Sequence, residues 1–179
     1  MKHYTFILAV LFLTACVMPI QHTNNHSDQH EHSSQHEHSN QHEHSHRQAE
    51  VAAKGAEIMP FDLARTTHIF EKIDNGGLQQ VITDDGDEEQ IALIRQHLSE
   101  EADRFANGDF HDPSMIHGDE MPGLHELVTG ADQLSIVYSD IDGGGQILYT
   151  TESTDLIDAI HHWFDAQLAD HGRHASEHR

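Results

Sequence analysis

The chain has 179 residues and sets 9 Lys+Arg against 31 Asp+Glu, a formal charge of −22. That balance excludes nucleic acid as a partner, because phosphate binding needs a basic footprint, and the length suits one modest domain with additional segments. Twenty histidines counterbalance the acids: protonating all of them would bring the charge to about −2, close to neutral pH, and the same imidazoles bind borderline metals when neutral.

Residues 1–15 read as an export signal. Lys2 and His3 form a short positive start, and Phe6 to Leu13 is an apolar run too short to span a bilayer as a stable helix. The run leads into Leu13-Thr14-Ala15-Cys16, which resembles the lipobox of bacterial lipoproteins. The resemblance implies cleavage before Cys16, acyl chains on that cysteine, and a lipid-anchored position in the bacterial cell envelope. Val17 stands where inner-membrane lipoproteins of enteric bacteria carry aspartate, which points to the outer membrane, facing the periplasm. Cys16 is the sole cysteine, so an intramolecular disulfide and multi-cysteine zinc sites are excluded.

Residues 16–57 read as the lipidated cysteine and a histidine-rich tether or linker. Within them Ser-x-Gln-His-Glu-His occurs three times from Ser27, pairing His30 with His32, His36 with His38 and His42 with His44, and His46 follows. Residues 17–47 lack an apolar face and are expected to be disordered. Gln48 to Glu57 reads as a short helix or as more linker. Two imidazoles one residue apart can chelate one ion, and imidazole suits copper, zinc or nickel. Ordering a flexible segment costs entropy, so such sites would be labile. The competing reading is a solvated low-complexity spacer.

A patterned domain is expected over residues 58–172. Thr67 to Ile73 and Leu78 to Thr83 read as strands, with Asp74-Asn75-Gly76-Gly77 supplying hairpin chemistry. Asp87 and Gln90 form a capping-box arrangement ahead of a helix whose apolar face is Ile91, Ile94, Leu98, Ala102 and Phe105. Residues 109–121 read as a loop, followed by a short helix from Pro122 that stops at Gly130. Leu134 to Ile141 and Gln146 to Thr151 read as strands joined across Asp142-Gly143-Gly144-Gly145. Ser153 or Thr154 caps a last helix with Leu156, Ile160, Phe164 and Leu168 as its stripe. Residues 173–179 read as a flexible tail. Two ββα units are thereby predicted: a two-layer α+β sandwich of a four-stranded antiparallel sheet with both helices on one face.

Several sequence patterns stop short of a motif. His125-Glu126 opens like a zincin helix, but Thr129 replaces the second ligand histidine. Asp140 to Gly145 is similar to the start of a calcium loop, but Gly144 and Thr151 occupy ligand positions and strands flank it. No phosphate loop, dinucleotide fingerprint or nucleophile elbow is present.

From Phe61-Asp62-Leu63-Ala64-Arg65-Thr66-Thr67-His68 to Asp170-His171-Gly172 the chain resembles a family of small bacterial envelope proteins. Gly108-Asp109-Phe110, Ile116-His117-Gly118, Met121-Pro122-Gly123-Leu124 and His161 with Trp163-Phe164-Asp165-Ala166-Gln167 carry the likeness. Members often bear the label aspartate carbamoyltransferase. That activity does not fit: the enzyme of that name is a much longer chain with a Ser-Thr-Arg-Thr phosphate loop, of which Ala64-Arg65-Thr66-Thr67 is only an echo. His68, His97, His117, His161 and His171 lie within or between the matching stretches. They are the candidate metal ligands of the domain, expected to converge near residues 109–121, with Met115 or Met121 as an added soft ligand for copper(I).

The expectation is therefore a lipid-anchored envelope protein that binds copper, zinc or nickel for buffering, delivery or sensing, its partners being the membrane and metal ions. The alternatives are an enzyme using the domain histidines as acid–base groups or metal ligands, and a plain interaction domain on a hydrated stalk.

Overall fold

A computed structural model describes the backbone of residues 29–178 and the side chains of residues 42–178. The export signal, Cys16 and residues 17–28 lie outside the described residues, as do the side chains of His30, His32, His36 and His38. Two units are distinguished, residues 1–37 and residues 38–179.

The second unit is built on two hairpins. Strand β1 (Thr66–Ile73) turns through Asp74-Asn75 into β2 (Gly76–Thr83), and β3 (Ser135–Ile141) turns through Asp142-Gly143 into β4 (Gly144–Thr150). Both are two-residue turns, the length that keeps the twist of paired strands. The hairpins join through β2 and β4, with Leu78 opposite Leu148 and Val81 opposite Gly145.

Helix α2 (Glu88–Ala106) starts at Asp87, whose Oδ1 accepts hydrogen bonds from the backbone N–H groups of Glu89 and Gln90. The reciprocal half of the expected capping box is absent, because Gln90 Oε1 instead accepts from the N–H of Asp62. Helix α5 (Thr154–His171) begins after Ser153, whose side chain makes no capping hydrogen bond. Both helices lie on one face of the sheet. There Phe70, Val81, Ile147 and Tyr149 meet Ile94, Leu98, Phe105, Ile160, Trp163 and Phe164 in one core. Trp163, Phe164 and Ile160 are fully buried, so α5 contributes the largest apolar payload, with each aromatic side chain adding about 1.5–3 kcal/mol of burial.

The architecture is thus α+β with helices on one face, as the patterning implied, but the sheet is five-stranded and mixed, in the order β3-β4-β2-β1-β5. The fifth strand, β5 (Ala175–Ser176), pairs parallel to β1, His68 against Ala175 and Ile69 against Ser176. It falls in the stretch expected to fray, and two ladder positions leave no periodic signal to read. The ββα plan is also interrupted. Helix α3 (His111–His117) occupies most of the expected 109–121 loop, and α4 (Leu124–Thr129) follows. Pro113 sits in the first turn of α3, where its missing N–H costs nothing.

Helix α1 is assigned over Gln29–Ile58, well beyond the Gln48–Glu57 segment. From Arg47 onward it is fastened to the domain: Arg47 Nε and Nη2 donate to the Asp170 carboxylate at 2.9 and 2.6 Å, Arg47 Nη2 also donates to the His117 carbonyl at 2.6 Å, and Val51 is buried. The folded unit therefore extends at least ten residues N-terminal of the expected boundary at Ile58, roughly three helical turns.

Candidate metal centre

Four of the five candidate histidines come together. His68 on β1, His97 on α2, His117 at the end of α3 and His171 at the end of α5 all line one cavity of about 50 Å³ beneath α1, together with Glu101 and Gln167. A space of that size holds an ion with a few waters. The cavity's remaining walls are apolar apart from Gln79 of β2, and include Phe61, Phe105 and Trp163.

His161 is the exception. Its Nε2 donates to the carbonyls of Ile73 and Gly76 at 3.1 and 2.9 Å, so it pins the β1–β2 turn and lies away from the cavity. The methionines also fall elsewhere: Met115 is exposed, Met121 packs in the core, and neither lines the cavity. His42, His44 and His46 are exposed on α1. Helical geometry turns His42 and His44 to different sides and brings His42 and His46, four apart, onto one.

At the α2 end of the cavity His97, Glu101 and Asp112 each offer a ligand atom, all within 4.8 Å of one another. His97 and Glu101 are one helical turn apart on α2, and Asp112 comes from the first turn of α3. Both α2 members are buried. Burial holds the His97 pKa below its usual value, aided by Arg104 and opposed by Asp112, so its imidazole is neutral and has a lone pair to give. Arg104 straddles the two carboxylates. It contacts Asp112 Oδ2 at 2.6 Å and Oδ1 at 3.4 Å, and it forms an ion pair with Glu101. One guanidinium thus serves two carboxylates, that of buried Glu101 and that of half-buried Asp112.

At the β1 end His68 and His171 stack with ring centroids 4.7 Å apart and planes 8° from parallel. His117 meets His171 edge-on at 5.1 Å. Asp170 Oδ2 accepts from His117 Nδ1 at 2.8 Å, which places a proton on Nδ1 and orients the ring. Burial raises the cost of the Asp170 charge, but hydrogen bonds from His117 and Arg47 outweigh it and hold its pKa down to about 2. Burial, with His117 and His97 adding to it, pushes His68 down to about 4. His171 is shifted the same way, by burial and then by His68 and His117. His68 Nδ1 and Trp163 Nε1 are buried without a hydrogen-bond partner, and both residues line the cavity.

The carboxylates were not legible in advance. The spacing of His97, Glu101 and Arg104 beside the apolar stripe of α2 is the signal the sequence offers for this set. Asp112 stood in a segment read as loop. Among the described residues no helix is long and apolar enough to cross a membrane. No protein-family model, curated protein or solved structure matches the chain.

Proposed function

We propose that the protein binds a borderline divalent metal ion in the domain cavity through His97, Glu101 and Asp112, and that it is held by a lipid at Cys16 in the bacterial envelope, where it buffers or delivers that ion. The observation that carries this reading is the approach of one imidazole and two carboxylates within 4.8 Å, at a mostly buried position on two helices. One nitrogen and two oxygens favour zinc, nickel or copper(II), and the methionines that copper(I) would need lie elsewhere. The exposed His42, His44 and His46, with the rest of the repeat, supply weaker sites that collect ions outside the fold. The lipobox supports the anchored location.

The test is zinc retained by the full chain after dialysis against excess imidazole, which strips the exposed repeat. Wild type is expected to keep one zinc per chain, and His97→Ala and Glu101→Gln to keep none. Equal retention by all three proteins overturns the reading.

A further inference from the structure

The cavity has a neighbour. An open groove of about 610 Å³ runs beside it between α1 and the C-terminal residues, and Phe61, Leu63, His68 and His171 line both spaces. Those four side chains are the wall between solvent and the interior, and two of them carry nitrogen ligands. Asp170 and His174 stand on the groove side, and His97 and Glu101 on the cavity side.

We propose that the stacked His68–His171 pair is a transfer site, at which a divalent borderline metal ion passes between the groove and the interior His97–Glu101–Asp112 set; this rests on the metal-binding reading above. Nearly parallel rings 4.7 Å apart direct their in-plane lone pairs alongside one another, so the pair does not converge on one resting ion. It suits one-nitrogen hand-over, with His171 reached from the groove and His68 following. His68 Nδ1 is buried with no hydrogen-bond partner, an unfavourable condition that binding a passing ion relieves. His117 adds an adjacent imidazole, oriented by Asp170. One ring stands between this pair and the interior set: the Phe61 ring centroid lies 6.2 Å from that of His68 and 5.7 Å from that of His97.

Trp163 is the sole tryptophan and lines the cavity, so its quenching by Cu²⁺ reports loading. Stopped-flow mixing of full-length protein with Cu²⁺ in excess imidazole, with His97→Ala subtracted as the repeat-only background, gives the rate. His171→Phe and His68→Phe keep ring area and remove the nitrogens. Each is expected to load at least tenfold more slowly while holding the same Cu²⁺ at equilibrium. Phe61→Ala, confirmed as folded by its urea unfolding transition, is expected to load faster. Wild-type loading rates in folded His→Phe variants overturn the transfer site, and if those variants unfold, a Phe61→Ala rate no faster than wild type overturns it. A wild-type signal no larger than that of His97→Ala is a different result: it removes the metal reading itself.

Discussion

His68 and His171, from the edge-side strand β1 and the last turn of α5, lie face to face with centroids 4.7 Å apart. Two imidazoles so close and so little hydrated are compatible only with uncharged rings, and this makes the fold sensitive to acid.

Folded His68 takes up its proton near pH 4, whereas in the unfolded chain it does so near 6.5. As pH falls the unfolded state therefore gains protons first. The contribution is fully present above about pH 6.5 and is lost progressively towards pH 4, by about 3 kcal/mol for this residue. His171 acts in the same direction. Asp170 adds a separate loss only as pH falls from 3.8 towards 2. Urea unfolding followed by Trp163 fluorescence from pH 7.5 to 4.5 is expected to show a falling midpoint, with a shallower slope in His68→Phe. An unchanged slope in that variant would mean that His68 is not the sensor.

Arg104 competes with any cation for Glu101 and Asp112. Arg104→Gln leaves Glu101 buried without its counter-charge, so the metal-free protein should lose about 3 kcal/mol. Zinc should then restore more stability than in wild type. Thermal melts with and without zinc check both parts, and an equal zinc-induced shift in the two proteins would contradict the shared site.

Gly123 precedes α4 at φ 80°, and a Cβ there would stand 2.1 Å from the Ala159 carbonyl oxygen. Gly118 has a similar φ of 92° but open space around the same position. Gly118→Ala should cost about 1 kcal/mol for its backbone alone. Gly123→Ala should cost at least about 2 kcal/mol, because α4 must move off α5. Chemical denaturation of the two variants side by side gives the ordering, and equal losses would show that the contact yields.

Cys16→Ser should leave an uncleaved precursor that takes up no fatty-acid label, checked by metabolic labelling and by the size of the membrane-bound protein. Unchanged labelling would refute the lipobox reading.

The hairpins and the apolar stripes of α2 and α5 were legible because burial imposes a period on sequence. The same logic hid what breaks the period. Gln167 on α5 and Glu101 on α2 are buried polar residues beside the stripes, and a single sequence does not distinguish them from solvated neighbours. Helix α3 leaves little trace in the sequence because Pro113 reads as a breaker, although it is tolerated in a first turn, and because Phe110 offers no side-chain cap. Strand β5 is specified by its neighbour β1 and by no pattern of its own. The convergence of His68, His97, His117 and His171 was legible as a set of residue types, but Asp112, Asp170 and Arg47 enter only through three-dimensional neighbourhood. His161 shows the limit: its sequence surroundings match the others, yet two backbone carbonyls claim it.

The fork between Arg47 and Asp170 has a mechanical meaning. Tension arriving along the chain from the N-terminal side of Arg47 meets that fork before it reaches Val51 or the sheet. The carboxylate that carries the force is also the one that orients His117. A pull on the N-terminal segment would therefore be felt at a cavity imidazole before any strand is loaded, and slack would restore it.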